Sequence, residues 1–326
     1  MDYLKLSNEV LEGKVLSCNE SLELIKTDDA HTFELLAAAG KIRQKFFGNK
    51  VKLCAIINAK SGECSEDCSF CGQSAHHKTN IRTYPLLSAD EILTAAKTAE
   101  KDMRATCFSI VTSGKSVFSE KENETVGKAL DKISEQTKLN RCVSLGTLSL
   151  SQIKALKARG LKRLHHNLET AESFFNKICT THSYAERLKT IKYAKEAGVE
   201  VCSGGIFGLG ESLEQRVELA FTLRDLDVSS VPINILNPIA GTPAARNYKP
   251  MAALEVLRLV ATYRFILPSV DLGVFGGREM SLRDLQPLMF IAGANVTLIG
   301  DYLTTRGQPP EKDLQIIADL GLEIDR

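Results

Sequence analysis

The residues richest in chemistry stand in one short stretch, Cys64-Ser-Glu-Asp-Cys68-Ser-Phe-Cys71, a C-x₃-C-x₂-C pattern. Three soft thiolates this close together suit zinc or an iron–sulfur cluster. Structural zinc normally takes four protein ligands. No fourth cysteine lies nearby, so a zinc knuckle would have to recruit His76 or His77. The preferred reading is a four-iron four-sulfur cluster held by three thiolates, with the fourth iron open to an exogenous ligand. S-adenosylmethionine (SAM), bound there through its amino and carboxylate groups, would accept one electron at the sulfonium and cleave to a 5′-deoxyadenosyl radical. The protein would supply a low-potential cluster and a closed interior that shields the radical.

A second set is dispersed. Cys107, Cys142 and Cys202 lie in TCFSIVT, RCVSLGTL and VCSGGIFGLGE, all of them strand-like. A free cysteine in a strand is commonly a small core hydrophobe. Three of them in strands lining one small barrel converge on its axis if their side chains face inward. The remaining cysteines are Cys18, Cys54 and Cys179, which brings the total to nine. An odd count with a tight central cluster does not read as a disulfide framework.

The rest of the composition excludes several classes. Lys+Arg 41 against Asp+Glu 40 leaves a net charge of +1, so no basic field exists to hold nucleic acid. Tryptophan is absent and aromatics are 6%, which leaves few platforms for base stacking. No window reaches the roughly 18 uninterrupted apolar residues of a membrane span. The start, MDYLKLSNEVLEGK, is too polar for a secretory signal, so a cytoplasmic location is expected.

The elements that must position these thiols follow from periodicity. Short β-branched runs predict strands at Val51–Asn58, Thr106–Thr112, Arg141–Leu145, Arg163–His166, Glu200–Ser203, Ser230–Leu236, Asp271–Phe275 and Asn295–Ile299. Amphipathic segments near 88–102, 122–137, 149–159, 183–197, 212–226, 250–266, 281–292 and 311–320 alternate with them. Ser88, ahead of Asp90 and Glu91, and Ser281, ahead of Asp284, are expected caps. Eight sequential strand–helix units predict an α/β fold of the (β/α)₈ TIM-type barrel class. The expected organisation is a single barrel domain over 51–326 behind an N-terminal helical extension over 1–50, with Asp29 capping its last helix. A doubly wound open sheet would want a Gly-rich phosphate turn after its first strand, where this chain has AKSGECSEDCSFCGQ. In a barrel that loop lies on the rim where catalytic groups gather.

The cysteine loop resembles the radical SAM superfamily, in which an aromatic residue such as Phe70 precedes the third cysteine and its backbone contacts adenine. Together with TCFSIVT, RCVSLGTL, VCSGGIFGLGE, HHNLET, THSYAERLKTIKYAKEAG, SVPIN, GTP, GGRE and IAGANVTLIGDYLTT, it is similar to the biotin synthase family from residue ~50 onward. The resemblance implies that Cys64, Cys68 and Cys71 hold the cluster that binds SAM. It implies that Cys107, Cys142 and Cys202 hold an auxiliary iron–sulfur cluster, a two-iron form in the usual family member. A sulfide of that cluster would be inserted into dethiobiotin, with two SAM consumed per biotin. The carbons to be joined are saturated and carry no acidic proton, so acid–base catalysis cannot activate them, whereas an alkyl radical can. Arg187 in YAER matches a SAM contact, and Asn234 in VPIN a polar ligand near substrate and cofactor. Gly204 and Ile206 belong to the G-G-I-F-G-L-G-E element beside adenine. Asn167 in HHNLE matches a ligand of the ureido ring, flanked by His165 and Glu169. Each has a plainer role available: an exposed helical charge, a strand-end turn, a βα turn. Expected partners are a flavodoxin or ferredoxin as reductant, the cluster-assembly machinery and a second copy in a homodimer.

The chain departs from the family pattern where charge matters. Gly273 and Ala105 stand where the family places arginines beside the auxiliary cluster, and Cys54 replaces a small hydroxyl residue. Losing two buried cations beside an anionic cluster is costly unless the cluster changes too. The expectation is a larger auxiliary cluster with Cys54 as a fourth protein ligand, set against Cys54 as strand packing. His165 and Glu169 stand where the family has asparagine and aspartate, and Cys18 and Cys179 read as spectators. Alternatives are another radical SAM barrel, such as the iron-only hydrogenase maturase or the methylornithine-forming mutase, and a non-catalytic zinc-binding or RNA-associated barrel.

Overall fold

The computed structural model describes residues 1–116 and 119–325. Ten strands form its centre: β1 Lys50–Lys60, β2 Cys107–Thr112, β3 Asn140–Ser144, β4 Arg163–His165, β5 Glu200–Cys202, β6 Gly205–Phe207, β7 Ser230–Ile235, β8 Asp271–Val274, β9 Val296–Leu298 and β10 Glu323–Ile324. All pairings are parallel and run β1-β2-β3-β4-β5-β7-β8-β9. Pairing of Lys52 with Val296 then returns β9 to β1 and closes the ring. This is the expected (β/α)₈ barrel. Two strands were not expected: β10, which pairs alongside the first residues of β1, and β6, which continues β5 along β7.

The fifth strand is split for a steric reason. A Cβ at Gly204 would stand 2.0 Å from the Pro232 carbonyl oxygen on β7, and one at Gly205 would stand 2.5 Å from the Glu169 oxygen. Only glycine lets the chain step between its neighbours there.

Serine caps set the outer helices. Ser88 with Glu91, Ser119 with Glu122, Ser149 with Gln152, Ser183 with Glu186 and Ser212 with Gln215 each form a complete capping box. Two expected caps are corrected. The helix Thr32–Phe47 begins after His31, and Asp29 pairs with Arg258 instead. Ser281 lies inside a short helix, Arg278–Leu282, and the segment 281–292 breaks into that helix, a 3₁₀ turn at Arg283–Leu285 and a further turn at Leu288–Ile291. Positive φ at Arg283 (51°) marks the break.

The helices Tyr3–Leu11, Cys18–Ile25 and Thr32–Phe47 lie ahead of β1, and the last packs on the helix Ala253–Ile266. Their apolar residues Leu24, Leu35, Leu36 and Ile42 join the same buried core as the barrel's outer helices. Among the described residues no helix is long and apolar enough to cross a membrane.

Candidate active site

Strand alternation decides what faces the barrel axis, because residues i and i+2 share a face. Cys54 and Ile56, Cys107 with Ser109 and Val111, Cys142 and Ser144, Arg163 and His165, and Cys202 all line one cavity. Its volume is about 410 Å³, ample for a small organic ligand. The registers Cys54↔Cys107, Ser109↔Cys142, Cys142↔Arg163 and His165↔Cys202 carry these side chains round the ring as a belt. Burial pushes the thiols of Cys142 and Cys202 up to about 12. Cys107 is pushed up by its hydrogen bond with Cys54 and by burial.

Cys64, Cys68 and Cys71 line the same cavity from the loop above β1. That loop is pinned by its own backbone. Cys64 N donates to Gln73 O at 2.9 Å, Ala75 N to Cys64 O at 2.8 Å, and Ser69 N to Ile178 O at 2.8 Å. Cys54 precedes the end of β1 by six residues, roughly 20 Å of strand, which sets the belt well below the rim loop. Seven of the nine cysteines thus meet in one space.

The donor chemistry fits iron–sulfur groups at both levels: three thiols at the rim and four in the belt, all soft, with Cys64, Cys68, Cys107, Cys142 and Cys202 buried and Cys54 and Cys71 half-buried. Of the cavity-lining side chains, the buried His166 Nε2 lacks a hydrogen-bond partner among the described residues, as expected where a further group occupies the space. A zinc knuckle through His76 or His77 is not favoured. Their Nε2 atoms lie 3.0 Å from the Ser65 and Cys68 carbonyl oxygens, so both rings brace the loop.

Between rim and belt stands a polar wall. Arg187 donates from Nε to His182 Nε2 (2.9 Å) and from Nη1 to Asn167 O (2.9 Å), and pairs with Glu169 at 3.6 Å. Asn167 donates to Glu169 and accepts from Gly204 N at 3.1 Å. Burial raises the Glu169 carboxyl despite Arg187. Burial and Arg187 hold His165 down at about 4, and its Nδ1 lies 3.3 Å from Cys202 Sγ. Asn234 accepts from Gly276 N and donates to Gly205 O. Phe70, Ile206, Asn234, Arg187, Asn167, His165 and Glu169 all reach the cavity. Gly204 does not; it stands behind Asn167 and aims it.

Three groups here carry no sequence expectation of a role. Cys179, expected to be a spectator, lies with its Sγ 3.7 Å from Cys68 Sγ and 3.2 Å from His182 Nδ1. The hydrogen bond from Cys68, then His182, holds the Cys179 thiol down at about 4. Glu66 closes the group, accepting from Thr181 and contacting His182 Nδ1. Arg163 reaches the belt from the first position of β4. Burial would lower its proton affinity, and the Cys202, Cys107, Cys142 and Cys54 thiols together raise it. The shared parity of Arg163 and His165 was the signal available in the sequence for that arginine.

Residues 60–223 match the model of the Radical SAM superfamily, and residues 232–323 match the Biotin and Thiamin Synthesis associated domain. The biotin synthase of Geobacter sulfurreducens is 49% identical over 319 residues, covering 98% of this chain and 96% of that protein. The biotin synthase of Clostridium acetobutylicum is 50% identical over 323 residues, covering 99% and 98%. Among solved structures, methylornithine synthase (PylB) has a TM-score of 0.86 at 21% identity, covering 98% of this chain and 97% of its own. The FeFe-hydrogenase maturase HydG from Carboxydothermus hydrogenoformans has a TM-score of 0.82 at 18% identity, covering 99% and 79%. At such identities these two speak for a shared barrel and not for a shared reaction.

Proposed function

The chain belongs to the biotin synthase family of radical SAM enzymes, and from that premise we propose how its residues divide the work of inserting sulfur into dethiobiotin. Cys64, Cys68 and Cys71 hold a four-iron four-sulfur cluster whose open iron takes SAM. Phe70, Ile206, Asn234 and Arg187 hold the SAM, with Gly204 shaping the wall behind it. Asn167, with His165 and Glu169, receives the ureido ring of dethiobiotin. Cys107, Cys142 and Cys202 hold the auxiliary cluster, with Cys54 as a fourth ligand of a form larger than two irons. When bound, these groups would supply a carbon-centred oxidant and a sulfur atom for insertion.

The observation that carries this reading is the single cavity that receives both thiol sets, with Arg187, Asn167 and Asn234 between them. The chain's own contribution is placement. The wall fixes which substrate carbons face upward, and the enclosed barrel keeps water and oxidants from a reactive carbon. The Arg187–Asn167–Glu169 network is anchored to main-chain atoms, so its donors are aimed before substrate arrives.

Anaerobic incubation with SAM, a reductant and dethiobiotin tests the assignment; 5′-deoxyadenosine and biotin should both form. Deoxyadenosine without biotin would overturn the substrate, and neither product would overturn the cluster assignment. Mössbauer spectra of wild type and Cys54→Ala test the auxiliary form. A two-iron signal indifferent to the substitution would defeat the larger cluster. A flavodoxin or ferredoxin reductant, sulfide resupply by cluster-assembly machinery, a homodimer and a cytoplasmic setting complete the proposal.

A further inference from the structure

The floor of the barrel beneath the thiol belt is built from charged residues at the N-terminal ends of four strands. Lys52 Nζ on β1 pairs with Asp271 Oδ2 on β8 at 2.8 Å. Asp271 also lies 3.7 Å from Arg163 Nη2 on β4, and Arg163 Nη2 pairs with Glu200 Oε2 on β5 at 2.9 Å. Arg163 Nε donates to the same Glu200 oxygen at 3.0 Å. These contacts occupy Nε and Nη2, and leave Nη1 without a hydrogen-bond acceptor among the described residues. The side chain is 16% exposed, whereas Glu200 is 57% exposed, so the guanidinium runs inward from a solvent-facing anchor. Of the cationic side chains that line the cavity, Lys115 pairs with Glu186 and Arg187 with Glu169 and His182, away from the belt. Arg163 is the one placed among Cys54, Cys107, Cys142 and Cys202.

The neighbouring route for a cation is shut. A Cβ at Gly273 would lie 2.5 Å from Val296 O and 2.6 Å from the Phe275 ring, so β8 admits no side chain there without moving. Ala105 is likewise buried among apolar neighbours.

Resting on the assignment of an iron–sulfur group to the four belt thiols, we propose that Arg163 is the positioning residue of the inner centre. Its guanidinium supplies, from β4, the positive charge and the N–H donor that offset the thiolates and the cluster sulfurs. A guanidinium suits this place because it stays charged when buried and keeps a planar set of donors after two are spent on carboxylates. Hydrogen bonds and charge beside cluster sulfurs tune potential and retention, as outer partners of metal ligands generally do.

The experiment uses anaerobically reconstituted full-length protein and reads iron, sulfide and Mössbauer spectra rather than turnover. Arg163→Met keeps the length that seals the floor and removes charge and donors. The expected result is an auxiliary signal reduced about tenfold relative to the rim-cluster signal of the same sample. Where auxiliary cluster persists, its midpoint should lie lower than in wild type. Arg163→Lys, which restores the charge, should recover most of the loss. Glu200→Gln, which loosens the anchor and spares the charge, should fall between them. Equal occupancy and equal midpoint in wild type and Arg163→Met would overturn the proposal. So would a loss that Arg163→Lys leaves unrepaired while Arg163→Met retains the wild-type circular dichroism, since that marks packing alone. Should wild type itself carry no auxiliary cluster, the underlying assignment fails instead, and the two failures are told apart by that control.

Discussion

The rim loop and the thiol belt bring their thiols together in opposite ways. At the rim, three cysteines come from one eight-residue loop whose shape is set by backbone hydrogen bonds, and the surroundings mix acid, imidazole and guanidinium: Glu66, His182 held by Arg187, and the additional thiol Cys179. In the belt, each cysteine comes from a different strand, spacing is set by register, and the surroundings are cationic through Arg163. A local loop tolerates changes elsewhere in the fold. A belt distributed round a closed barrel depends on every strand keeping its place. That difference matches the proposed division of labour, in which the rim would bind SAM and the belt would supply sulfur.

The largest effect should come from breaking the rim. Cys64→Ala, Cys68→Ala and Cys71→Ala should each cut SAM cleavage by more than the roughly hundredfold seen when an outer partner of a metal ligand is lost, scored as 5′-deoxyadenosine under anaerobic conditions. Retention of cleavage by all three would erase the distinction between the regions. Next, Cys142→Ala should abolish biotin while deoxyadenosine still appears, because only the lower centre is damaged. Parallel loss of both products would mean that the regions are one functional unit.

Gly204→Ala probes the wall that joins them. Its Cβ would lie 2.0 Å from Pro232 O, and its amide holds Asn167 in place. We expect about 2 kcal/mol of destabilisation by urea titration and a raised KM for dethiobiotin, with SAM binding less affected. An unchanged KM would detach Asn167 from the substrate.

The smallest effect lies at the rim's supporting helix, Tyr184–Glu196, which carries Arg187. The Ser183 backbone N–H and then Lys115 hold Glu186 down at about 2. A carboxyl whose folded value is depressed stabilises the fold above its unfolded value near 4.5, and that contribution is lost as pH falls toward 2. Glu186→Ala should therefore cost about 1 kcal/mol at pH 7, the worth of an exposed cap. The two proteins should converge in urea midpoint near pH 2. A gap that widens on acidification would reverse the sign and defeat the assignment.

Much of the fold was legible because its determinants are local. The Ser88 cap and the amphipathic segments near 149–159, 183–197 and 212–226 became helices where expected, and β-branched runs marked eight strands. Illegible were β6, which exists because Gly204 and Gly205 let two backbones approach closely, and the break after Leu282, where a long amphipathic segment yields to a positive φ at Arg283. Cys179 misled for a related reason. Its neighbour Cys68 is 111 residues away, and no local pattern announces such a contact.

Residue types at short spacing were enough to announce the rim triad, since a loop of eight residues brings its own thiols together whatever surrounds it. Which other side chains share the cavity was decided only by closure of the barrel. Parity and register determine that Arg163 and Cys54 line the cavity with the belt, because those are distances between strands and not along the chain.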